Sequence, residues 1–326
     1  MPNGWLYQQI LEQRPDWEPE FALRNAVNWT KALSFEITQE HGSSHADELN
    51  ACRSLFSRNS SPRRSPSQVP LAPVFGTLFH SLTFATSLAS LTQRNMTNEW
   101  VYPGAIVWWY YALYHAVRSM LAAFDGREPD THRDVVASTN ELTDKLPHPF
   151  NMVAAHGSGE EYSVTLPNYS HARRHDLITR FDGTRSAAQG ILLTYLNGTA
   201  GWVVGNVKDR LKQQHNLQDF RTTRARQLRD ERLPVKVNIL NCVYRFRGKA
   251  NYRDGLFLSY GDPHNWLTPS FLSDLFTIAS FGFVCAFAYA ERRIGRNFAA
   301  DFLNDSRTYF RGLDSTVGVE CFWTSF

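Results

Sequence analysis

The stretch "LFTIASFGFVCAFAYA", residues 275–290, runs without a charged side chain between Asp274 and Glu291. Its 16 residues fall short of the roughly 20 needed to span a bilayer. It therefore reads as a helix buried on all sides, and a helix that is apolar all round needs other helices packed around it. A second apolar run, from Ala105 to Phe124, is interrupted by His115 and Arg118 and reads as another core helix. These two segments set the expected class as mainly α. With 326 residues, 43% of them apolar and 13% aromatic, the chain has the material for a large core. No membrane partner is expected.

Around these segments the sequence carries helix punctuation. From Glu20 to Glu40, apolar residues recur at helical spacing, and Gly42 ends the pattern. "SRNSSPRRSPSQVP" (57–70) is too polar to pack and too rich in proline to hold a helix, so it reads as a linker or exposed loop. A helix follows over 71–95. The helix from about Ala105 to Phe124 is preceded by Pro103 and Gly104 and followed by the turn "DGREP". Thr131 with Asp134 forms a capping pattern that starts the next helix near His132, giving an antiparallel hairpin. "YSVTL" reads as a short strand, and Thr268-Pro269 as the start of the last strongly apolar helix. The division expected is an N-terminal helical segment (1–56), the linker (57–70) and a helical domain (71–326) with an insertion around 151–234.

Lys and Arg together number 34 against 31 for Asp and Glu, so net charge alone announces no polyanionic partner. Locally the balance differs: between Lys208 and Lys236 there are nine basic residues and four acidic ones. The four cysteines, Cys52, Cys242, Cys285 and Cys321, are scattered and form no CxxC pair, which argues against a structural zinc site or a disulfide framework. With no basic start and apolar run at the N-terminus, a cytoplasmic location is expected.

Within "WWYYALYHAVRSMLAAFDGREPDTHRDVV" (108–136), Tyr111, His115 and Arg118 fall on one helical face. A polar strip inside an apolar helix must be paired internally or must face a ligand. Arg127 and His132 follow at once, and Arg210 and His215 repeat the same spacing in "KDRLKQQHNL". Farther on, Arg247, Asn251 and Asp254 lie at offsets of zero, four and seven, with Lys249 and Arg253 adding positive charge. "SHARRHD" (170–176) holds the other dense His/Arg group and reads as an exposed polar turn.

Two segments carry a resemblance to a known family. "YYALYHAVRSMLAAFDGREPDTHRDVV" has an aromatic-Ala-x-aromatic-His-Ala helix, a Gly turn, a Pro and a Thr-His helix start, and it resembles the HEPN superfamily of small helical bundles. "YRFRGKANYRDGLFL" is similar to the Arg-x-x-x-Asn-Tyr-x-Asp helix of some longer members. The two cover under a fifth of the chain. The resemblance implies a HEPN-like antiparallel bundle with an N-terminal helical extension and an inserted basic region. It also implies a metal-independent endoribonuclease of a bacterial toxin–antitoxin or anti-phage defence system, with Arg and His as catalytic pair and two copies meeting in a dimer. On this sequence the pair is Arg127 and His132, although Pro129 between them departs from the continuous helix usual in the family. Tyr111, His115, Arg118, Arg247, Lys249, Asn251, Arg253 and Asp254 form the expected binding face. RNA is the expected partner, and no metal or cofactor is required. The alternative is a non-catalytic HEPN-like subunit that binds a nucleotide or scaffolds a larger complex.

Overall fold

The computed structural model describes residues 19–59, 71–93, 101–156, 162–165, 180–233, 235–252 and 270–310, with four positions before residue 19. In chain order these hold α1 (Pro19–His41), α2 (His45–Arg58), α3 (Leu71–Gln93), α4 (Tyr102–Asp125), α5 (His132–Thr139), β1 (Val153–His156), β2 (Tyr162–Thr165), α6 (Arg185–His215), α7 (Thr223–Arg232), β3 (Val235–Asn238), α8 (Ile239–Tyr252), α9 (Ser270–Ile294) and α10 (Arg296–Phe310). The protein is mainly helical, as the apolar segments require.

Helix α9 is the axis of the bundle. Every residue from Ile278 to Glu291 is buried, and the helix packs against α1, α2, α3, α4 and α10. Against α4 the approach is close at Gly282, where an added Cβ would stand 2.4 Å from Leu113 Cδ2. Trp29 of α1, Phe56 of α2, Trp109 of α4 and Phe287 of α9 belong to one continuous core. The N-terminal helices are thus part of the bundle that α9 organises, and α6 joins it through buried Ala188, Ile191, Leu192 and Leu196 while packing on α1. The stretch expected as an insertion therefore contributes to the core through α6, and its basic residues are concentrated in the end of α6 and in α7.

Helix boundaries follow the punctuation. Gly42, at φ 91°, ends α1, and Gly126, at φ 86°, ends α4; both conformations favour glycine. Thr131 caps α5, its Oγ1 accepting from the Asp134 N–H at 3.1 Å. The last carbonyls of α4 find a donor in Arg293 of α9, whose guanidinium reaches Ala123 O at 3.2 Å and Phe124 O at 2.7 Å.

The "YSVTL" strand forms as β2, but it has company. β1 lies in the middle of an antiparallel sheet of order β2-β1-β3, with Val153 opposite both Thr165 and Asn238. Thr268, Arg253 and Asp254 lie outside the described residues, as do residues 60–70 and the "SHARRHD" segment. Two helical stretches, Leu71–Thr92 and Ser270–Ile294, are long and apolar enough to cross a membrane by length and composition. The second is 25 residues long, exceeding its apolar core, and 78% of its most apolar window is buried among the other helices, as befits a core helix.

Candidate functional site

Four helices bring aromatic and basic side chains to one place. Tyr110, Tyr111, Tyr114, His115 and Arg118 come from α4, spaced so that they share adjoining faces. Helix α3 supplies His80 and Phe84, and it is fastened alongside α4 by two buried hydroxyls. Ser81 Oγ donates to Ala112 O at 2.8 Å and Ser119 Oγ to Val74 O at 2.9 Å. Because Thr131 caps α5, His132 stands at its first residue, directed back at α4. Helix α8 contributes Tyr244 and Arg247. Its start is tied to the end of α5 by Asn238, whose Nδ2 donates to Asn140 Oδ1 at 2.8 Å.

His132 is at the centre. Its Nδ1 is 2.7 Å from the Tyr110 hydroxyl, and its ring centroid lies 4.7 Å from Tyr114, 5.9 Å from Tyr111 and 6.2 Å from Tyr244. The Arg247 guanidinium is 5.4 Å from the Tyr110 ring and 5.9 Å from Tyr111, and Arg118 is 5.8 Å from Tyr114. His115 stacks at 5.8 Å on Phe84 and sits 5.1 Å from His80.

The electrostatics keep both internal histidines neutral. Burial first, then the positive charges of Arg247 and Arg118, hold the His132 imidazole below its ordinary pKa. His115 is driven down to about 4 by burial, with His80, Arg118 and His132 adding to the effect. Burial pushes the Tyr110 phenol upward, with Tyr114 adding to the effect and Arg247 opposing it, so at neutral pH it remains an O–H. In one tautomer Tyr110 donates to Nδ1 and Nε2 carries the ring proton; in the other Nδ1–H donates and Nε2 is a base. With Nδ1 engaged by Tyr110, Nε2 is the nitrogen through which His132 can exchange a proton with another molecule.

The strip on α4 is not a closed hydrogen-bond network. His115 Nδ1 and Arg118 Nε are buried and lack a hydrogen-bond partner among the described residues; what holds these side chains is ring stacking and cation–π contact. Unpaired polar atoms of this kind are costly in a purely structural cluster.

Of the residues singled out from the sequence, Tyr111, His115, Arg118, His132 and Arg247 meet here. Arg127 does something else. Its Nε is 2.6 Å from Asp125 Oδ2, and its two Nη atoms reach Glu141 at 3.0 and 2.6 Å. The Glu141 carboxylate is the main reason its pKa is raised. Arg127 thereby clamps the α4–α5 turn, and the guanidiniums acting on the His132 ring are Arg247 and Arg118. Lys249 is half-buried on α8, Asn251 is exposed near its end, and Arg210 and His215 are exposed on α6. Tyr110, Tyr114, Tyr244, His80 and Phe84 are site residues that sequence reasoning missed. Tyr110 and Tyr114 lay in the quoted aromatic block, where spacing alone does not separate them from core. Among the described residues no group of three or more His, Cys, Asp or Glu side chains is placed to hold a metal ion.

Compared with known proteins, the chain matches no family model, no curated protein and no solved structure.

Proposed function

We propose that the protein acts on RNA as a metal-independent endoribonuclease of the HEPN type, with His132 as its proton-transfer group and Arg118 and Arg247 as its phosphate-holding groups. The observation that carries the reading is a neutral imidazole, oriented by a phenol, within the field of two permanent cations. In this chemistry His132 Nε2 accepts the ribose 2′-hydroxyl proton and the 2′-oxygen bonds to phosphorus. The bond to the 5′-oxygen breaks, and that oxygen leaves with a proton from water or from the imidazolium of a second copy. Charge that builds on the phosphoryl oxygens is stabilised by the two guanidiniums. Arg127, paired with two carboxylates, is assigned to holding the turn that presents His132. Dimerisation and a toxin–antitoxin or anti-phage defence setting follow from the family resemblance.

Incubation of the purified protein with mixed RNAs in excess EDTA tests this reading. Cleavage leaving 2′,3′-cyclic phosphate ends, abolished by His132→Ala and by Arg247→Ala, is the expected result; no cleavage by the parent protein overturns it. A second reading has its own support in the ring packing around His132, which is dense enough to be a platform for a base. On that reading the protein is a non-catalytic nucleotide-binding or scaffold subunit. It would bind nucleotides with Tyr111 and Tyr244 required, and leave RNA intact.

A further inference from the structure

Helix α8 carries arginines on two flanks. Arg247 faces the His132 cluster, and Arg245, about 200° around the helix from it, faces α6. There Arg245 Nη1 donates to Thr199 Oγ1 at 3.3 Å and lies 3.9 Å from where a Cβ at Gly198 would stand. Its guanidinium is 5.7 Å from the centre of the Trp202 ring. Arg245 pairs with no carboxylate among the described residues, and its Nε is buried without a hydrogen-bond partner. A half-buried guanidinium held by one long bond to a neutral hydroxyl and by an indole lacks the counter-charge that cations taken out of water ordinarily keep. Trp202 is unusual in the opposite sense: it is 39% exposed, while Trp29 and Trp109 are fully buried, and it stacks on no other ring among the described residues. A flat apolar face at the surface beside an unneutralised cation is the pairing that holds single-stranded nucleic acid, the ring taking a base and the cation a phosphate.

The surface between the two flanks is open. On the outer side of α8, the positions met in passing from Arg247 to Arg245 are Tyr244 and then Gly248, both half-buried. The inner side is made by Cys242, Val243, Phe246 and Ala250, all buried. A Cβ at Gly248 would meet nothing within 4 Å, so the helix backbone is uncovered at the crossing. Tyr244 belongs to the His132 cluster, its ring centroid 6.2 Å from that of the imidazole. A strand seated at His132 therefore has a passage over Gly248 to Arg245 and Trp202.

Resting on the RNA reading above, we propose that Trp202 and Arg245 form a second nucleotide site for single-stranded RNA. An unpaired base stacks on Trp202, the Arg245 guanidinium donates to the phosphate of that nucleotide, and the strand continues over Gly248 into the His132 cluster. The test measures, by fluorescence anisotropy, binding of the full chain to a short labelled single-stranded RNA whose 2′-hydroxyls are methylated, so that it binds and is not cut. The parent protein should bind it. Trp202→Ala should weaken binding at least about fivefold, as loss of one base–aromatic stack requires, and Trp202→Phe, which keeps a stacking face, should recover most of it. Arg245→Gln should weaken binding too and reduce its salt dependence by about one phosphate contact. The same strand annealed to its complement should show no effect of Trp202→Ala, because its bases are already stacked in the duplex. Melting of each variant is the folding control, and Trp202→Ala, at an exposed position, carries the test alone if Arg245→Gln melts early. No binding by the parent, parental affinity in folded Trp202→Ala, or an equal loss with the duplex overturns the proposal. The nuclease reading fails separately. A parent protein that holds the methylated RNA through Trp202 yet leaves ordinary RNA uncut keeps this site and loses the endoribonuclease; one that cuts RNA while Trp202→Ala binds as the parent does keeps the endoribonuclease and loses this site.

Discussion

At the scale of the residue, the decisive contrast is between Arg127 and Arg247. The two ion pairs of Arg127 are at least a third exposed at every partner. Arg127→Ala should therefore weaken cleavage only a few-fold, through the turn that presents His132, and lower stability by no more than about 1 kcal/mol, the range of exposed ion pairs. Arg247→Gln should instead remove activity, and it should raise the His132 pKa because the Arg247 charge is one of the causes holding it down. Proton NMR of the His132 ring across pH would register that rise. His115 gives a separate pH signature. Its folded-state pKa, about 4, lies below the ordinary 6.5, so the stability it contributes is full above about pH 6.5 and is lost as pH falls through about 4. Urea unfolding of the parent and of His115→Gln over that window should show a shallower acid loss in the variant. The residues of this site were legible in part. His132 and Arg247 stood out because charged groups are rare beside apolar helices, whereas their meeting depends on how α5 and α8 pack. Tyr110 was not legible at all, since an aromatic residue in a core helix looks the same whether or not its hydroxyl is used.

Elements were far more legible than sites, because their ends are written locally. Gly126 and Thr131 mark the end of α4 and the start of α5, as the turn and capping signals predict. β1 and β3 are four residues each, and nothing local distinguishes them: their hydrogen bonds are made across the sheet, β3 beginning at the end of the basic segment. Thr131→Ala removes the cap of an eight-residue helix, which should cost about 1 kcal/mol and also depress cleavage, since the first residue of α5 is His132. Restoring the cap with Thr131→Ser should recover both. At the α4–α9 crossing, Gly282→Val should destabilise by about 1–3 kcal/mol through overpacking against Leu113. Gly282→Ala should be milder: alanine favours the helix by about 1 kcal/mol over glycine, and an adjoining cavity of about 30 Å³, lined by Leu113 and Gly282, gives the displaced methyl somewhere to go. Thermal and urea denaturation distinguish the two.

For the molecule as a whole, charge and order of assembly matter most. Arg221, Arg224 and Arg226 are exposed on and just before α7. If RNA lies across this region, binding should weaken linearly in log salt, and Arg224→Glu should reduce affinity for all sequences alike and flatten that slope. Binding indifferent to both salt and the substitution removes α7 from the interface. The position of α9 has a consequence for how the protein is made. Helices α1 to α4 are all synthesised before it, yet each buries a face against it. At ribosomal speeds of about 5–20 residues per second, the nascent chain carries those apolar faces uncovered for on the order of ten seconds after α4 emerges. The newborn polypeptide is accordingly a client for chaperones, and stalling translation just before Ser270 should leave it protease-sensitive and chaperone-bound until α9 is translated.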